Sequence, residues 1–278
     1  MKQQDSFRRD RTMASMILKI GGSLLGETGF LKELAHSLNN LCEWDIAILH
    51  GGGPMISRLF RVFGKENTFI NGLRATNDET IDLVEMALSG QVNKFLARKL
   101  TAFEVPAVGI SGTDAGLFLA APISSNAPAV NRVGEITTVQ LDVIFSLWVN
   151  MLLPVVSPVA VDSAGNALNV NADSAAYSLA ARLKADTLIF LSDVPGIRLN
   201  ETVVPVLTPE ILKNGIASGE IHSGMIPKLE KGFQTLDSGV KTILISTWQG
   251  SGTLENLLTQ KEVTFTQLKK GIHDAALD

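Results

Sequence analysis

The 278-residue sequence contains one cysteine, Cys42, which excludes an intramolecular disulfide and a zinc site built on paired cysteines. It has no apolar run of the roughly 18 residues that a membrane span requires. Its formal net charge is −4, whereas nucleic-acid-binding domains usually have a basic surface. We therefore predict a protein of a reducing cytoplasm that binds neither nucleic acid nor membrane. Because Cys42 follows an apolar helical pattern, we predict that it is a small core residue.

Two common nucleotide-binding motifs are missing as well. No G-x-x-x-x-G-K-[ST] motif occurs, since Gly64-Lys65 is followed by Glu66, and no G-x-G-x-x-G motif follows the first predicted strand. Their absence argues against a P-loop enzyme and against a nicotinamide-dependent dehydrogenase.

Apolar runs typical of strands alternate with helical patterns along most of the chain. The first strand is predicted at Ile17–Ile20 and the last clear one at Lys241–Ser246. The longest helical pattern covers Asp78–Leu100, with Thr76 or Asn77 as its cap. Such alternation favours the α/β class, with a mainly parallel central sheet covered by helices on both faces. We therefore predict a three-layer αβα sandwich.

The chain is predicted to divide into a leader and two lobes. Residues 1–15 are polar and lack the apolar core of a secretory signal, so we interpret them as a flexible leader. Residues 16–180 are assigned to an N-terminal lobe and residues 181–278 to a C-terminal lobe. Within the first lobe, Phe118–Glu135 is interrupted by prolines and a glycine, which predicts loops or a hairpin.

Glycine-containing turns follow four of the predicted strands. They lie at Gly21-Gly22, Gly51–Gly53, Ser111-Gly112 and Ser192–Gly196. In parallel α/β sheets, ligands collect at the carboxyl ends of the strands. The four turns are therefore expected to converge on one edge of the sheet.

Two lysines accompany these turns. The first is in Lys19-Ile20-Gly21-Gly22, and the second, Lys228, follows Ser223-Gly224-Met225-Ile226-Pro227. Fixed cations and backbone N–H groups can stabilise the charge of a phosphoryl group during transfer, so this combination predicts a small-molecule kinase. Taken separately, Lys19 could be a surface lysine beside an ordinary turn, and Lys228 could be an ordinary surface lysine.

The segment His50-Gly51-Gly52-Gly53-Pro54 is more specific. Three glycines between a strand and a helix that begins with proline predict an anion site at a helix N-terminus, because a structural turn seldom needs three. We predict that His50 holds this loop through a hydrogen bond; a general-base role is the alternative.

Three other segments could contact a ligand, and each has a structural alternative. Arg74 could pair bidentately with a carboxylate or could fix a loop through backbone carbonyls. The side chains in Asn169-Val170-Asn171-Ala172-Asp173 could bind an amide and a carboxylate, although Asp173 could simply be a helix cap. The turn at Ser192-Asp193-Val194-Pro195-Gly196 could contact a ribose or only reverse the chain.

Together these segments resemble the amino acid kinase family over about Met16 to Leu258. The most specific parts of the resemblance are Asn71-Gly72-Leu73-Arg74, Leu168-Asn169-Val170-Asn171-Ala172-Asp173 and Leu191-Ser192-Asp193-Val194-Pro195-Gly196-Ile197. The first two of these strings resemble the branch of the family that phosphorylates N-acetyl-L-glutamate. The resemblance implies the amino acid kinase fold and ATP-dependent phosphorylation of the side-chain carboxylate of N-acetyl-L-glutamate, an early step of arginine synthesis. It implies that the N-terminal lobe binds the acetylated amino acid and the C-terminal lobe binds ATP.

The resemblance also implies roles for the matching residues. Catalysis is implied for Lys19, Lys228 and Asp173, with the carboxylate orienting both ammonium groups. Phosphate binding is implied for the backbone of Gly21, Gly22 and Gly52. Binding of the acetylated amino acid is implied for Gly52, Gly53, Arg74, Asn169 and Asn171. The ATP side is implied to include Ser192, Asp193, Gly196 and Met225.

The implied chemistry agrees with the residue types. A carboxylate nucleophile is already ionised at neutral pH, so no general base is needed. The difficulty is to bring two anions together, which lysines and backbone N–H groups address. Mg²⁺ is expected to be carried by the ATP phosphates and not by a metal site of the protein.

Two segments depart from the family pattern. The family's Ser-Gly-Lys-Asp-Gly-Gly string is replaced by Ser111-Gly112-Thr113-Asp114-Ala115-Gly116, and the C-terminal region lacks the usual Gly-Thr-x-Ile ending. Arginine-inhibited members resemble one another in that C-terminal region and in a long N-terminal helix. We therefore expect a homodimer that arginine does not inhibit.

Two alternatives to this function stay open at the level of sequence. One is a related kinase acting on another carboxylate, such as carrier-bound aminoadipate or carbamate. The other is a non-catalytic ligand sensor with the same fold, against which the presence of both lysines argues.

Overall fold

The structure is a computed structural model that describes residues 13–70, 72–123, 128–222 and 224–271. Residues 1–12 of the predicted leader therefore lie outside the described residues. So do Asn71 and Ser223, which belong to two of the sequence strings discussed above. The first strand begins at Ala14, three residues before the predicted start.

In the described residues, sixteen strands and nine α-helices alternate along the chain. The strands are β1 Ala14–Ile20, β2 Trp44–His50, β3 Phe69–Ile70, β4 Leu73–Arg74, β5 Ala107–Ser111, β6 Phe118–Pro122, β7 Gly134–Val139, β8 Leu153–Ser157, β9 Val159–Val161, β10 Ala167–Asn169, β11 Thr187–Ser192, β12 Arg198–Leu199, β13 Thr202–Val203, β14 Val206–Leu207, β15 Thr242–Thr247 and β16 Phe265–Leu268. The helices are α1 Phe30–Asn40, α2 Gly53–Val62, α3 Ile81–Glu85, α4 Asn93–Ala102, α5 Asp142–Val149, α6 Ala172–Leu183, α7 Pro209–Ala217, α8 Ile226–Asp237 and α9 Thr253–Thr259.

The central sheet of the described residues has the strand order β14-β16-β15-β11-β1-β2-β8-β5. Every neighbouring pair is parallel except β15 with β16. Both faces of the inner strands are buried, which explains why a segment such as Met16-Ile17-Leu18 is a continuous apolar run.

Alternate residues of these strands belong to two cores on opposite faces of the sheet. Ile17 and Leu49 pack on one face with α5, α6 and α8, whereas Leu18 and Ile48 pack on the other face with α1, α4 and α9. The described residues thus form a helix layer, a sheet layer and a second helix layer. The prediction of a three-layer αβα sandwich is confirmed.

A smaller sheet, with strand order β10-β9-β6-β7, contributes buried residues such as Phe118, Val139 and Leu168 to the first core. Strands β6 and β7 pair antiparallel, so the segment Phe118–Glu135 contains a hairpin, one of the two predicted alternatives. Between these strands, residues 124–127 lie outside the described ranges.

The long helical stretch predicted for Asp78–Leu100 is present and runs from Ile81 to Ala102, but its N-cap is Thr80 and not Thr76 or Asn77. Helix α3 follows Thr80, because Thr76 bonds to the carbonyl of Arg74 and Asn77 forms a turn with Thr80. Between α3 and α4 the chain widens into a π-helical segment, Met86–Val92, with i→i+5 geometry.

The prediction that Cys42 is a core residue was also wrong. Helix α1 ends at Asn40, and Cys42 lies in the turn before β2, where it is exposed. The buried part of the apolar pattern therefore ends at Leu41, one residue before Cys42.

Among the described residues, no helix has both the length and the apolar character needed to cross a lipid bilayer.

Candidate active site

A carboxylate joins the two lysines singled out by the sequence. The Nζ atom of Lys19 lies 2.7 Å from Asp173 Oδ1, and the Nζ atom of Lys228 lies 2.9 Å from Asp173 Oδ2. Lys19 and Asp173 are largely buried, whereas the Lys228 side chain is 54% exposed. The two ammonium groups therefore meet at one carboxylate, although their residues are 209 positions apart in sequence. Solvent and ligands can reach this point from the side of Lys228.

The local folding of each element explains this meeting. Lys19 is the penultimate residue of β1, and Lys228 lies in the first turn of α8, where Pro227 suits the start of a helix. Asp173 is in the first turn of α6. The N-cap of α6 is Asn171, whose Oδ1 accepts hydrogen bonds from the backbone N–H groups of Asp173 and Ser174. Asp173 is therefore not the cap, and its carboxylate remains available for the lysines.

Two opposing effects act on the Asp173 carboxyl. Burial raises its pKa, and the adjacent Lys19 and Lys228 ammonium groups lower it. The ammonium groups prevail, so the pKa lies below the ordinary value of 3.8. Asp173 is therefore ionised at neutral pH and partly neutralises the two cations that it holds.

The lowered pKa predicts how stability depends on pH. A group whose pKa is lower in the folded state stabilises the fold above its unfolded-state pKa, and this contribution is lost as the pH falls through the folded-state value. We expect Asp173→Asn to lower the free energy of unfolding by about 1.5–3 kcal/mol near pH 7, the usual range for hydrogen bonds to charged groups. Urea unfolding from pH 7 downwards should show this difference shrinking below about pH 4. A difference that does not change with pH would contradict the prediction.

A cavity of about 440 Å³ lies next to the two lysines. Its polar wall includes Lys19, Gly21, Gly22, Asp173 and Lys228, and its apolar wall includes Tyr177, Phe190 and Ile245. Three of the four residues predicted to contact ATP, namely Ser192, Asp193 and Met225, line it. One part of the cavity is therefore apolar, and the other part carries the two ammonium groups.

The fourth residue, Gly196, does not line this cavity in the structure. A Cβ atom at Gly196 would lie 2.6 Å from Thr266 Oγ1 and 2.7 Å from Val203 Cγ1. The φ angle of Gly196 is +152°, a conformation that side chains disfavour. Close packing of the turn against β16 therefore accounts for this glycine.

A second, smaller cavity of about 180 Å³ lies on the other side of the α6 N-terminus. It is lined by the residues predicted to bind the acetylated amino acid, which are Gly52, Gly53, Arg74, Asn169 and Asn171. Apolar side chains complete it, among them Ile56, Leu88 and Val133. Asn171 and Ala172 therefore face this cavity, while the next residue, Asp173, faces the larger one.

Arg74 is fixed at the edge of the smaller cavity by several contacts. Its guanidinium group donates to the side chain of Asn67 and, at 3.3 Å, to the carbonyl oxygen of Gly53, and it lies 4.8 Å from the centre of the Phe69 ring. Burial lowers the pKa of Arg74. Sequence reasoning left open whether Arg74 fixes a loop or faces a ligand, and this geometry allows it to do both.

The two asparagines differ in how their side chains are engaged. Asn169 Nδ2 donates to Thr76 Oγ1 at 2.9 Å, which connects β10 to the segment before α3. Asn171 uses its Oδ1 atom as the helix cap. Both side chains are thus oriented by neighbouring groups at the wall of the smaller cavity.

The two glycine turns touch each other between the cavities. The N–H of Gly21 continues the sheet by donating to Leu191, and that of Gly51 donates to Ile20. A Cβ atom on Gly22 would lie 3.1 Å from the backbone nitrogen of Gly52. This close approach favours glycine at position 22 and brings the backbones of the two turns together.

His50 is completely buried beneath the second glycine turn. Its Nδ1 atom lies 2.9 Å from the carbonyl oxygen of Gly51, and its Nε2 atom lies 3.1 Å from Asn93 Nδ2. Burial lowers the pKa of His50 to about 4, although the hydrogen bond to Gly51 acts in the opposite direction. These contacts agree with the predicted role of His50 in holding the loop.

Several residues near these cavities were not singled out from the sequence. Asn67 and Phe69 position Arg74, while Leu88 and Val92 pack against Gly52. Asn93 is a polar residue on an otherwise apolar helix face, and that exception was a signal the sequence offered. The other four have ordinary side chains in ordinary patterns, so only the tertiary structure reveals their role.

Within the described ranges, no group of three or more His, Cys, Asp or Glu residues is placed to hold a metal ion.

Comparisons with known proteins agree with this geometry. Residues 15–246 match the Amino acid kinase family. Acetylglutamate kinase of Bacillus licheniformis is 38% identical over 239 residues, which cover 85% of this chain and 91% of that protein. Acetylglutamate kinase of Geobacillus stearothermophilus is 35% identical and covers 90% and 97%, respectively. The crystal structure of smu.665 from Streptococcus mutans UA159 superimposes with a TM-score of 0.75 at 28% identity, covering 85% of this chain and 96% of that one. The family match spans most of the chain, including Lys19, Asp173 and Lys228, and the chain therefore belongs to the amino acid kinase family.

Proposed function

We propose that this protein transfers the γ-phosphoryl group of ATP to the side-chain carboxylate of N-acetyl-L-glutamate, as a step of arginine biosynthesis. The observation that carries the proposal is the Lys19–Asp173–Lys228 arrangement, which stands between a larger cavity and a smaller one. The substrate assignment is supported by relatives of 35% and 38% identity that bear the name acetylglutamate kinase.

In the proposed reaction, ATP occupies the larger cavity and the acetylated amino acid occupies the smaller one. An oxygen of the side-chain carboxylate attacks the γ-phosphorus, the bond from that phosphorus to the β,γ-bridging oxygen breaks, and ADP leaves. Lys19 and Lys228 stabilise the negative charge of the transferring group, and the N–H groups of Gly22 and Gly52 donate to it. Asp173 keeps both ammonium groups in place.

No proton transfer is needed at the nucleophile, because a carboxylate is ionised at neutral pH. His50 agrees with this scheme, since it is fully buried and its ring nitrogens face Gly51 and Asn93. Mg²⁺ would be carried by the phosphates of ATP, whose charge it would reduce.

The smaller cavity suits the proposed acceptor. Arg74 offers a cation to the α-carboxylate, and Asn169 and Asn171 offer amide groups to the acetylamino group. All residues lining this cavity lie between positions 51 and 172, which supports the assignment of the acceptor to the N-terminal lobe, residues 16–180. The C-terminal lobe, residues 181–278, would contribute most of the ATP site. We also propose a cytoplasmic homodimer that arginine does not inhibit.

A coupled assay of ADP release tests the function. The purified protein, with ATP and Mg²⁺, is expected to turn over N-acetyl-L-glutamate at an unchanged rate when arginine is added. Carbamate and carrier-bound aminoadipate are expected to give background rates. Turnover of a rival acceptor without turnover of N-acetyl-L-glutamate would replace the proposed substrate, and binding of ligands without any ADP release would indicate a sensor.

A further inference from the structure

A buried amide connects the π-helical segment to the strands beneath the site. Asn93, the first residue of α4, has no exposed surface. Its Nδ2 atom lies 3.1 Å from His50 Nε2, 3.0 Å from the carbonyl oxygen of Ile110 and 2.8 Å from that of Val155. These three residues belong to β2, β5 and β8, so a single amide group contacts three strands of the sheet.

The contacts determine the orientation of the amide and the tautomer of the histidine. A carbonyl oxygen can only accept a hydrogen bond, so His50 Nδ1 must carry the proton that is donated to Gly51. His50 Nε2 is then an acceptor, and it shares the two N–H donors of Asn93 Nδ2 with the carbonyl oxygens of Ile110 and Val155. A flipped amide would place an oxygen against two carbonyl oxygens and a nitrogen lone pair. His50 is thereby held in one tautomer, with its proton directed at the glycine turn.

A glycine in the sheet leaves the space that this amide occupies. A Cβ atom at Gly109 of β5 would lie 2.2 Å from Asn93 Oδ1, so any side chain at position 109 would displace it. Within the described residues, Asn93 Oδ1 has no hydrogen-bond partner. A buried oxygen without a hydrogen-bond partner costs free energy of folding. We infer that the N–H groups of Asn93, and not its oxygen, are what the fold requires at this position.

The same helical segment also contacts the next residue of the glycine turn. A Cβ atom on Gly52 would lie 2.6 Å from Leu88 Cδ2 and 3.1 Å from Val92 Cγ2. The π-helical widening directs Leu88, Val92 and Asn93 at the sheet together. The segment therefore reaches Gly51 through His50 and reaches Gly52 directly.

We propose that Asn93 is a positioning residue for phosphoryl transfer, which acts through His50 on the backbone of Gly51–Gly53. The proposal rests on the proposed function, because it assigns the Gly52 N–H to the transferring group. Displacement of that N–H by a fraction of an ångström would weaken its contact with the transition state more than with bound ligands. Asn93 would then influence kcat without touching either substrate.

The test compares Asn93→Leu, which removes the donor at similar volume, with Ser89→Ala. Ser89 lies in the π-helical segment and contacts Ser157 of β8 at 2.7 Å, so its replacement loosens the same segment without affecting His50. We expect Asn93→Leu to lower kcat about tenfold or more, with KM for both substrates within about threefold of wild type. Ser89→Ala should keep kcat within about twofold.

A double variant decides whether Asn93 acts through His50. If it does, His50→Leu/Asn93→Leu loses no more kcat than the worse single variant, because the two residues act as a unit. Losses that multiply, or a folded Asn93→Leu protein with wild-type kcat, would overturn the proposal. Asn93→Ser replaces Asn93→Leu if the latter does not fold.

Hydrogen exchange provides a readout that does not depend on the substrate. Peptides covering residues 48–56 are expected to exchange faster in Asn93→Leu than in wild type, and at the wild-type rate in Ser89→Ala. Unchanged exchange in both variants would overturn the positioning role even if N-acetyl-L-glutamate proved to be the wrong substrate. Failure of the proposed function would appear separately, as a wild-type protein that shows this exchange pattern but releases no ADP.

Discussion

Replacement of either Lys19 or Lys228 by alanine is expected to lower kcat about a hundredfold or more, which is the loss seen when one charge-stabilising donor is removed from an active site. Each lysine contacts Asp173, so removal of one leaves the carboxylate paired with the other. The fold should therefore persist, while the transferring phosphoryl group loses one of its two cations. A steady-state ADP-release assay measures the loss, and thermal unfolding shows that the variant is folded.

Lys231→Ala is the matched control for Lys228→Ala. Lys231 is also in α8, one turn later, and its Nζ atom lies 3.8 Å from Glu135. Removal of this lysine changes the net charge equally but leaves the Asp173 cluster intact, so kcat should stay close to the wild-type value. Near-normal rates in both Lys19→Ala and Lys228→Ala would place the chemistry elsewhere.

The second large effect is expected at Arg74. Arg74→Lys should raise KM for N-acetyl-L-glutamate about tenfold or more, because a lysine cannot reproduce the planar fork of the guanidinium group. The change also removes the contact with the ring of Phe69, 4.8 Å away, and the bond to Gly53. The KM for ATP should change by less than about twofold, because Arg74 lines only the smaller cavity.

Arg61→Lys provides the control for this variant. Arg61 is exposed in the last turn of α2, and neither cavity is lined by it. Its replacement should leave both KM values unchanged. If Arg74→Lys weakened ATP and the acetylated amino acid equally, the guanidinium would act on the loop as a whole and not on the acceptor.

The sequence predicted the sheet and the meeting of the lysines well, for a physical reason. Continuous apolar runs such as Ile46-Ala47-Ile48-Leu49 are typical of buried strands in a parallel sheet, and glycine turns at the carboxyl ends of such strands share one edge. The position of Lys19 follows from that rule. The position of Lys228 does not, because it depends on how α8 packs beside α6.

Other features could not be decided from the sequence, because local rules compete there. Asn171 and Asp173 are both good helix caps, and only the structure shows that Asn171 caps while Asp173 pairs with the lysines. The widening at Met86–Val92 was not predicted from the sequence, and its residues Leu88 and Val92 pack against Gly52. Gly196 is predicted as a ligand contact, and the structure adds that it packs closely on Thr266. Tertiary contacts decided each of these positions.

The most direct test of the account is a crystal structure of the protein with ADP, Mg²⁺, N-acetyl-L-glutamate and a planar metal fluoride group, which mimics the transferring phosphoryl group. We expect the Nζ atoms of Lys19 and Lys228 and the N–H of Gly52 each to lie about 3 Å from the fluoride group. A fluoride group bound away from both ammonium groups, with N-acetyl-L-glutamate outside the Arg74 cavity, would contradict the account.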